Sequence, residues 1–188
     1  MEQKETHKYL NDFAKYVIQQ SKSNLTKGKK NSSKELYNSL GAEINVSANS
    51  FSLSFEMEDY GMFQDKGVKG ADPSKVSPNA KIRGQQAPNS QYKFGSGKYK
   101  GTWKTFTKSL EKWVRYKNLR LRDSKGRYSK GNVKTIAQIV ASNIYARGIK
   151  PSLFFTKPFE KAFEKLPDEL VESYGLDVEN FIKFTLKK

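Results

Sequence analysis

The sequence predicts an α+β fold in which a small antiparallel β-sheet is flanked by helices. Two kinds of periodicity support this prediction. Between residues 42 and 58, apolar residues alternate with polar ones, as in strands that have one face in a core. In the stretches 3–22, 102–117 and 132–147, apolar residues recur with helical spacing. The chain of 188 residues suits a single domain, 1–188, with a basic insertion over residues 71–148.

The predicted hairpin, residues 42–58, is expected to be the packing centre. Small polar residues around Asn49 separate its two alternating runs and favour a tight turn. Beyond the second run, Tyr60 and Phe63 precede Asp65 and Gly67, which predicts a short helical corner. The positions expected to face the core are Ile44, Val46, Phe51, Leu53, Phe55 and Met57.

The segments before and after the hairpin are predicted to be less regular. Residues 23–33 are a polar, basic linker, and Ser33 is expected to cap a short helical turn. Residues 71–101 contain several glycines and prolines, which predicts a long loop that is mobile in the isolated subunit and ordered in an assembly. Residues 118–131 contain two turn signals and are expected to form a hairpin or an irregular arm.

The C-terminal third is predicted to be mainly helical. Asn132 is expected to cap a strongly apolar helix that Gly148 ends. An extended segment follows Pro151, and Pro158 suits the first turn of the next helix. Asp177 is the predicted start of the last helix.

Composition restricts the chemistry that this chain can use. The sequence contains no cysteine, which excludes disulfides, thiolate metal ligands and cysteine nucleophiles and fits a reducing compartment. Its apolar runs are far shorter than the roughly 20 residues of a membrane span, and the charged N-terminus has no signal-peptide pattern. We therefore expect no membrane partner and synthesis in the cytoplasm.

The positive charge is concentrated in the middle of the chain. Residues 69–134 contain 18 lysines and arginines against 3 acids, whereas residues 1–68 contain 9 of each. Such an excess favours an anionic partner, either protein or DNA. The cations in turn-rich segments are the candidates for subunit-interface or DNA-facing contacts: Lys98, Lys100, Arg120, Arg122, Lys125 and Arg127.

Three catalytic or cofactor sites are disfavoured by the sequence. A phosphate-binding loop at GSGK would need glycine where Tyr92 stands and serine or threonine where Tyr99 stands. His7 is the only histidine and has no evident metal partner. Acidic residues near the end of the hairpin suggest a metal-dependent nuclease, but the basic stretch offers few further carboxylates. The acids considered for that site are Glu56, Glu58, Asp59 and Asp65.

Binding of nucleic acid is the stronger alternative. Lysines and arginines of the middle third are interleaved with aromatic residues, as phosphate contacts and base stacking require. These aromatic residues are Tyr92, Phe94, Tyr99, Trp103 and Tyr128. Trp103 and Phe106 also have the spacing of core residues on a helix, and no helix-turn-helix, zinc or aromatic-sheet signature supports sequence-specific recognition.

Three separated stretches together resemble tail-completion, or head-to-tail joining, proteins of tailed bacteriophages. SSKELYNSLGAEINV at 32–46 resembles the segment that leads into the first strand of that family. YGMFQDKGVKG at 60–70 resembles its corner, with Tyr60, Phe63, Asp65 and Gly67 as the matching residues. PSLFFTKPFEKAFEKL at 151–166 resembles its closing segment, through Pro151, Phe154, Phe155, Pro158 and Phe159. RDSKGRYSKG at 122–131 is similar to a variant found in phage virion proteins.

The resemblance implies a structural protein of the virion, assembled in the host cytoplasm. It implies an α+β subunit that forms a ring with copies of itself around the DNA channel, in the neck or at the top of the tail. The implied partners are portal or adaptor proteins, tail proteins and channel double-stranded DNA. It implies no catalytic residue, no cofactor and no metal. The insertion at 71–148 distinguishes this chain from short members of the family.

Overall fold

The structure, a computed structural model, describes residues 3–30, 33–47, 50–78, 80–96, 102–123, 125–129 and 131–186. This part of the chain contains seven α-helices and two separate two-stranded antiparallel sheets, so the α+β prediction is confirmed. The chain divides into two compact units. The terminal unit comprises residues 1–61 and 153–188, and the central unit comprises residues 62–152. The single-domain organisation stays a prediction.

The elements follow one another in this order: α1 Lys4–Lys27, α2 Glu35–Ser39, β1 Gly41–Ser47, β2 Ser50–Glu56, α3 Gly61–Lys66, β3 Val68–Lys69, a 3₁₀ turn Pro73–Lys75, α4 Trp103–Tyr116, α5 Val133–Arg147, β4 Gly148–Ile149, α6 Thr156–Phe163 and α7 Leu166–Leu186. None of the helices in the described residues is long and apolar enough to cross a bilayer.

The predicted hairpin is formed by β1 and β2. Ile44 pairs with Leu53 in the antiparallel register, and both are half-buried, as the alternation predicted. The expectation for Phe51 was wrong, because its side chain is 44% exposed. Phe55, at the other end of β2, packs instead against the rings of Phe13, Phe155 and Phe159.

The packing centre of the terminal unit lies beside the hairpin rather than in it. None of the hairpin residues that the structure describes is buried, which corrects the prediction. Helix α1 instead buries an apolar stripe. At its C-terminal end, this stripe packs against buried residues in and just after α2 and at the start of the closing segment. The buried members of this core cluster are Leu25, Leu36, Leu40 and Phe154. The core therefore depends on contacts between the two ends of the chain.

Helices α1 and α2 differ from the prediction at their boundaries. Helix α1 continues to Lys27, because Leu25 still faces the core and is completely buried. The predicted linker is therefore shorter than expected. The residue before α2 is Lys34, with a φ of 59°, and Ser33 does not cap this helix.

Helix α7 corrects the prediction that the last helix begins at Asp177. It runs without a break from Leu166 to Leu186, so Asp177 lies in its middle. The Asp177 carboxylate accepts hydrogen bonds from the backbone N–H groups of Glu5 and Thr6, at 3.1 and 2.9 Å, and from the Thr6 hydroxyl at 2.8 Å. Asp177 is therefore a capping residue, as its type suggested, but it caps α1.

The central unit is built around the α4–α5 pair. Thr102 caps α4 through a reciprocal capping box with Thr105, and the Asn132 side chain accepts from the N–H of Lys134 to cap α5. The predicted ranges, 102–117 and 132–147, agree with these helices within a residue. Their shared core contains the buried residues Val114, Ile136 and Ala137, with Leu110, Trp113, Leu119, Leu121, Val133 and Val140 packed against them.

The predicted loop at 71–101 has no long regular element in its described part, which ends at residue 96. Its mobility in the isolated subunit stays a prediction, but two of its residues pack against the rest of the unit. Val76 and Ala87 are 9% and 2% exposed. The backbone N–H of Gln86 donates to the carbonyl of Arg147 at 2.8 Å, which ties the loop to the end of α5.

Candidate functional site

Two segments of the central unit that are distant in the sequence meet at β3 and β4. The ladder is antiparallel and pairs Val68 with Ile149 and Lys69 with Gly148. β3 belongs to the predicted corner, and β4 immediately precedes the predicted closing segment. The β3–β4 ladder therefore brings the start of the closing segment next to the corner within this unit.

Ser152 adds a second connection between these segments. Its backbone N–H lies 3.2 Å from the carbonyl oxygen of Gln64 and 3.1 Å from that of Asp65, and its hydroxyl donates to Gln64 at 2.6 Å. Asp65 is completely buried. The Phe63 ring packs edge-on against Tyr92, with ring centroids 4.8 Å apart. Phe63 and Asp65 therefore hold the junction together rather than form an exposed surface.

Gly67 is required at the junction by both its conformation and its surroundings. Its φ of 73° lies in the left-handed region that favours glycine. A Cβ atom there would lie 2.6 Å from the carbonyl oxygen of Ile149 and 2.8 Å from Cδ of Pro151. Its own carbonyl accepts from the Ser90 hydroxyl at 2.7 Å. Gly67 and Pro151 thus form a close contact that no larger residue could replace without displacement.

The loop after β3 is bound to the junction by hydrogen bonds that no pattern in the sequence indicates. Gln85 accepts from the N–H of Gly70 through its side-chain oxygen and donates from Nε2 to the Gly70 carbonyl at 3.2 Å. The backbone N–H of Lys69 donates to the carbonyl of Tyr92, and the carbonyl of Lys69 accepts from the N–H of Phe94 at 3.0 Å. A single glutamine in a loop carries no pattern that identifies this role.

The closing-segment residues of the terminal unit serve its core. Phe154 is 1% exposed, and its carbonyl accepts from Nδ2 of Asn24 at 3.2 Å. Phe155 and Phe159 stack with centroids 5.8 Å apart, and Phe55 packs against both. Pro158 is buried in α6. These residues explain the local fold and leave little surface for a partner.

Tyr60 is the exposed member of the predicted corner, with 41% of its surface accessible. Partial burial raises the pKa of its phenol, and the carboxylates of Glu35 and Glu58 add to that rise. The phenol already has hydrogen-bond partners in the Leu36 backbone and the Ser33 side chain, which lower its pKa by less than burial raises it.

In the basic arm, residues 119–131, the described positions 119–123, 125–129 and 131 present a preorganised cationic surface. Arg122 and Tyr128 form an isolated antiparallel bridge. The Arg122 guanidinium lies 4.3 Å from the centre of the Tyr128 ring and donates to its hydroxyl at 2.9 Å. The Arg120 guanidinium lies 5.7 Å from the same ring. These cation–π contacts hold two predicted site residues together at the surface.

Asp123 organises the tip of the basic arm. Its carboxylate accepts from the backbone N–H groups of Lys125 and Arg127 at 2.9 and 2.8 Å, and from Nε of Arg127 at 3.1 Å. One nitrogen of the Arg127 guanidinium is thus used in a contact within the arm. Lys125 is exposed, and no ion pair among the described residues involves it. The predicted contacts Lys98 and Lys100 lie outside the described residues.

The exposed side of α4 carries a second set of cations, the α4 basic stripe, which consists of Lys104, Lys108, Lys112 and Arg115. Their spacing places them on one face of the helix, and all four are exposed. None of the ion pairs described in the structure involves them. The spacing is visible in the sequence, so this surface could have been predicted.

The two units differ strongly in charge. The central unit contains 21 lysines and arginines against 4 acids, whereas the terminal unit contains 14 against 15. The formal net charge of +16 therefore belongs entirely to the central unit. This unit can attract anionic surfaces over roughly the 8–10 Å screening length of physiological salt.

Aromatic rings next to α4 pack mainly against one another. Trp103 meets Tyr145 edge to face at 6.0 Å, and Phe94 lies 5.8 Å from Phe106. Trp103 is nevertheless 46% exposed, so part of its ring is accessible beside the basic surface.

A groove of about 600 Å³ runs along α1 in the terminal unit. Its lining includes Lys15, Ile18, Lys22 and Tyr37, and the Lys22 ammonium lies 5.2 Å from the centre of the Tyr37 ring. The lining contains no carboxylate or histidine, so it offers cationic and apolar contacts rather than acid–base groups.

No group of three His, Asp or Glu residues in the described ranges could hold a metal ion. The acids considered for a nuclease are therefore not assembled into such a group there. Comparison with protein-family models, curated proteins and solved structures returned no match. The surfaces described above are suited to binding through charge and packing.

Proposed function

We propose that this chain is a structural virion protein of a tailed phage. It forms part of the head-to-tail connector (neck) ring or of the tail-completion ring around the DNA channel, together with copies of itself. Its neighbours are portal or adaptor proteins and tail proteins, and the assembly takes place in the host cytoplasm. In this role the chain uses no catalytic residue and no cofactor.

The observation that carries the proposal is the β3–β4 junction. The corner and the closing segment resemble the same phage family. They are brought into direct contact by the Gly67–Pro151 approach and by the hydrogen bonds from Ser152 to Gln64, next to the Val68–Ile149 pairing. A chance likeness of separate segments would not require this pairing. The contact supports the view that the segments belong to one structural motif.

The charge of the central unit gives this proposal a physical basis. A ring of subunits that each carry a central unit of net charge +17 is self-repulsive unless anionic surfaces lie close to it. Channel DNA and acidic faces of neighbouring proteins both meet that need. The basic arm is the predicted contact, because its charged groups are exposed and held by internal bonds.

Incorporation into particles tests the proposal. Arg120→Glu combined with Lys125→Glu reverses two exposed charges of the basic arm and leaves the Asp123 contacts and the Arg122–Tyr128 pair in place. We expect less of this variant than of the parent chain in purified particles, measured by quantitative mass spectrometry. Its melting curve should be nearly unchanged, because both side chains are exposed.

Lys81→Glu combined with Lys134→Glu is the matched control, since both positions are exposed in the same unit and the charge change is equal. The control should be incorporated normally. Absence of the parent chain from purified particles would reject the virion assignment, and normal incorporation of the arm variant would reject the basic arm as the contact.

The alternative is a non-specific DNA-binding or packaging-associated protein, which the exposed Trp103 and the basic surface favour. A free DNA binder should retain affinity for duplex DNA as an isolated monomer, with log K falling linearly as log salt rises. Such affinity in a chain that is absent from particles would favour the alternative. Weak monomer binding together with incorporation would favour the ring.

A further inference from the structure

Helix α7 exposes an apolar stripe on the side that does not pack on α1. Val171, Tyr174 and Ile182 are 73%, 40% and 50% exposed, and the half-buried Val178 lies between them. The spacing of these four residues places them on one face of the helix. The contact with α1 lies on a neighbouring face, about 100° around the helix from Val178, where Asp177 accepts from Glu5 and Thr6. The stripe is therefore available to another surface.

Acidic residues follow the same helix beside the apolar stripe. Helix α7 contains five acids and one lysine, and Asp168, Glu172 and Glu179 are exposed along one edge. Glu179 pairs with Lys183 on its own helix, but no ion pair among the described residues involves Asp168 or Glu172. The face thus combines apolar surface with negative charge.

The α4 basic stripe is complementary to this face in charge and in length. Lys104 and Arg115 are eleven positions apart, as are Asp168 and Glu179. Each pair therefore spans about 16 Å along its helix, at 1.5 Å per residue. Lysine side chains can lay their aliphatic stems over apolar surface while their ammonium groups reach carboxylates. A basic stripe can therefore cover an apolar, acid-edged helix.

We propose that the exposed face of α7 docks on the α4 basic stripe of a second copy of this chain. The contact is heterologous, because it joins two different surfaces, and its repetition generates a ring if the rotation closes. This inference rests on the self-association that the proposed ring requires. It names the surfaces that make the contact.

Charge reversal on either side tests the contact. Asp168→Lys with Glu172→Lys changes α7, and Lys104→Glu with Lys108→Glu changes α4. Each variant alone should associate at least about tenfold more weakly than the parent chain in sedimentation equilibrium, because like charges then face each other. A mixture of the two variants should associate again, because each supplies the surface that the other has lost.

Glu43→Lys with Glu56→Lys is the control, since both acids are exposed on the hairpin of the same unit as α7. This control should associate like the parent. Circular dichroism melts must show that every variant is folded. A folded α4 variant that associates normally, a mixture that stays monomeric, or a monomeric parent chain at all concentrations and salt conditions would overturn the proposal.

The outcomes for particles separate this inference from the proposed function. If the α7 variant is incorporated into particles as well as the parent, the contact is rejected while the virion assignment stands. If the parent chain is absent from particles but the variants behave as expected in solution, the contact stands and the virion assignment fails.

Discussion

Gly67 and Gly84 share a φ of 73° but differ in their surroundings. A Cβ atom at Gly84 would meet nothing within 4 Å, whereas one at Gly67 would collide with the backbone of Ile149. Gly84→Ala should therefore cost only the left-handed conformational penalty of about 1–2 kcal/mol. Gly67→Ala should cost roughly 1–3 kcal/mol more, because the collision is with backbone. Urea denaturation of both variants measures the difference.

The two glycines have the same φ, so the cost of placing alanine in the left-handed region is equal in the two variants. The difference in their unfolding free energies therefore measures the collision at Gly67. Equal losses of stability in the two variants would show that the corner can move away from Pro151. The close approach would then not be needed to hold the β3–β4 junction, and the structural basis for the proposed motif would be weakened.

Asp177 is a buried charged residue of the terminal unit whose carboxylate accepts hydrogen bonds from α1. Burial alone would raise the pKa of its carboxyl, but the hydrogen bonds from Thr6 and Glu5 outweigh burial and hold the pKa below its ordinary value of 3.8. The lowered pKa means that its stabilising contribution is present above about pH 3.8 and is lost as the pH falls through the folded-state pKa.

We expect Asp177→Asn to lose about 1–3 kcal/mol of unfolding free energy at pH 7, because the charged acceptor of three hydrogen bonds is replaced by a neutral amide. The difference from the parent chain should shrink as the pH is lowered below about 3.8. Guanidinium unfolding at a series of pH values measures it. Glu172→Gln is the control and should have little effect at any of these pH values, since Glu172 is exposed on the same helix and no ion pair among the described residues involves it. A constant Asp177→Asn deficit at low pH would contradict the role of the charge.

Among the elements, α7 begins eleven residues before the predicted start at Asp177, and Gly175 is the residue that suggested a break. Gly175 lies inside the helix, and a Cβ atom there would meet nothing within 4 Å. Gly175→Ala should therefore stabilise the protein by about 0.5–1 kcal/mol, because alanine loses less conformational freedom in a helix. Thermal and urea unfolding measure the gain. A loss of stability would mean that the helix is bent or interrupted at this position.

The elements that the sequence predicted well have strong local signals. The alternation around Leu53 and the apolar repeats of α4 and α5 each fix one face of an element, and caps such as Asn132 mark the boundaries. The start of α7 could not be predicted, because Gly175 and Asp177 have the local signature of a break. Packing along α1 and the bonds to Thr6 override that signature, and both depend on residues far away in the sequence.

For the molecule as a whole, the sequence located the charged surface better than it identified which aromatic residues are exposed. The charge excess identified the central region, and the exposed residues Arg120 and Lys125 lie on the basic arm as expected. The aromatic residues of the closing segment, such as Phe154, are instead buried in the core of the terminal unit. Sequence spacing cannot distinguish an exposed aromatic residue from one that meets a distant helix, because burial depends on the tertiary fold.

Salt should act in opposite directions on the folding and on the assembly of this chain. The 21 cations of the central unit repel one another, so screening should raise the melting temperature of the dilute monomer as sodium chloride increases from about 10 mM to about 150 mM. The proposed contact between α7 and α4 is an attraction between opposite charges, so the same increase should weaken self-association.

Replacing Lys104, Lys108 and Lys112 by glutamine is the informative variant, because these like charges are four residues apart on α4 and destabilise it. Its monomer should melt with a smaller dependence on salt, and its self-association should be weak at every salt concentration. Differential scanning fluorimetry at low protein concentration and sedimentation at high concentration separate the two effects. A parent melting temperature that falls with added salt would show that attractive pairs dominate within the unit, and the repulsion that the ring must neutralise would then be absent.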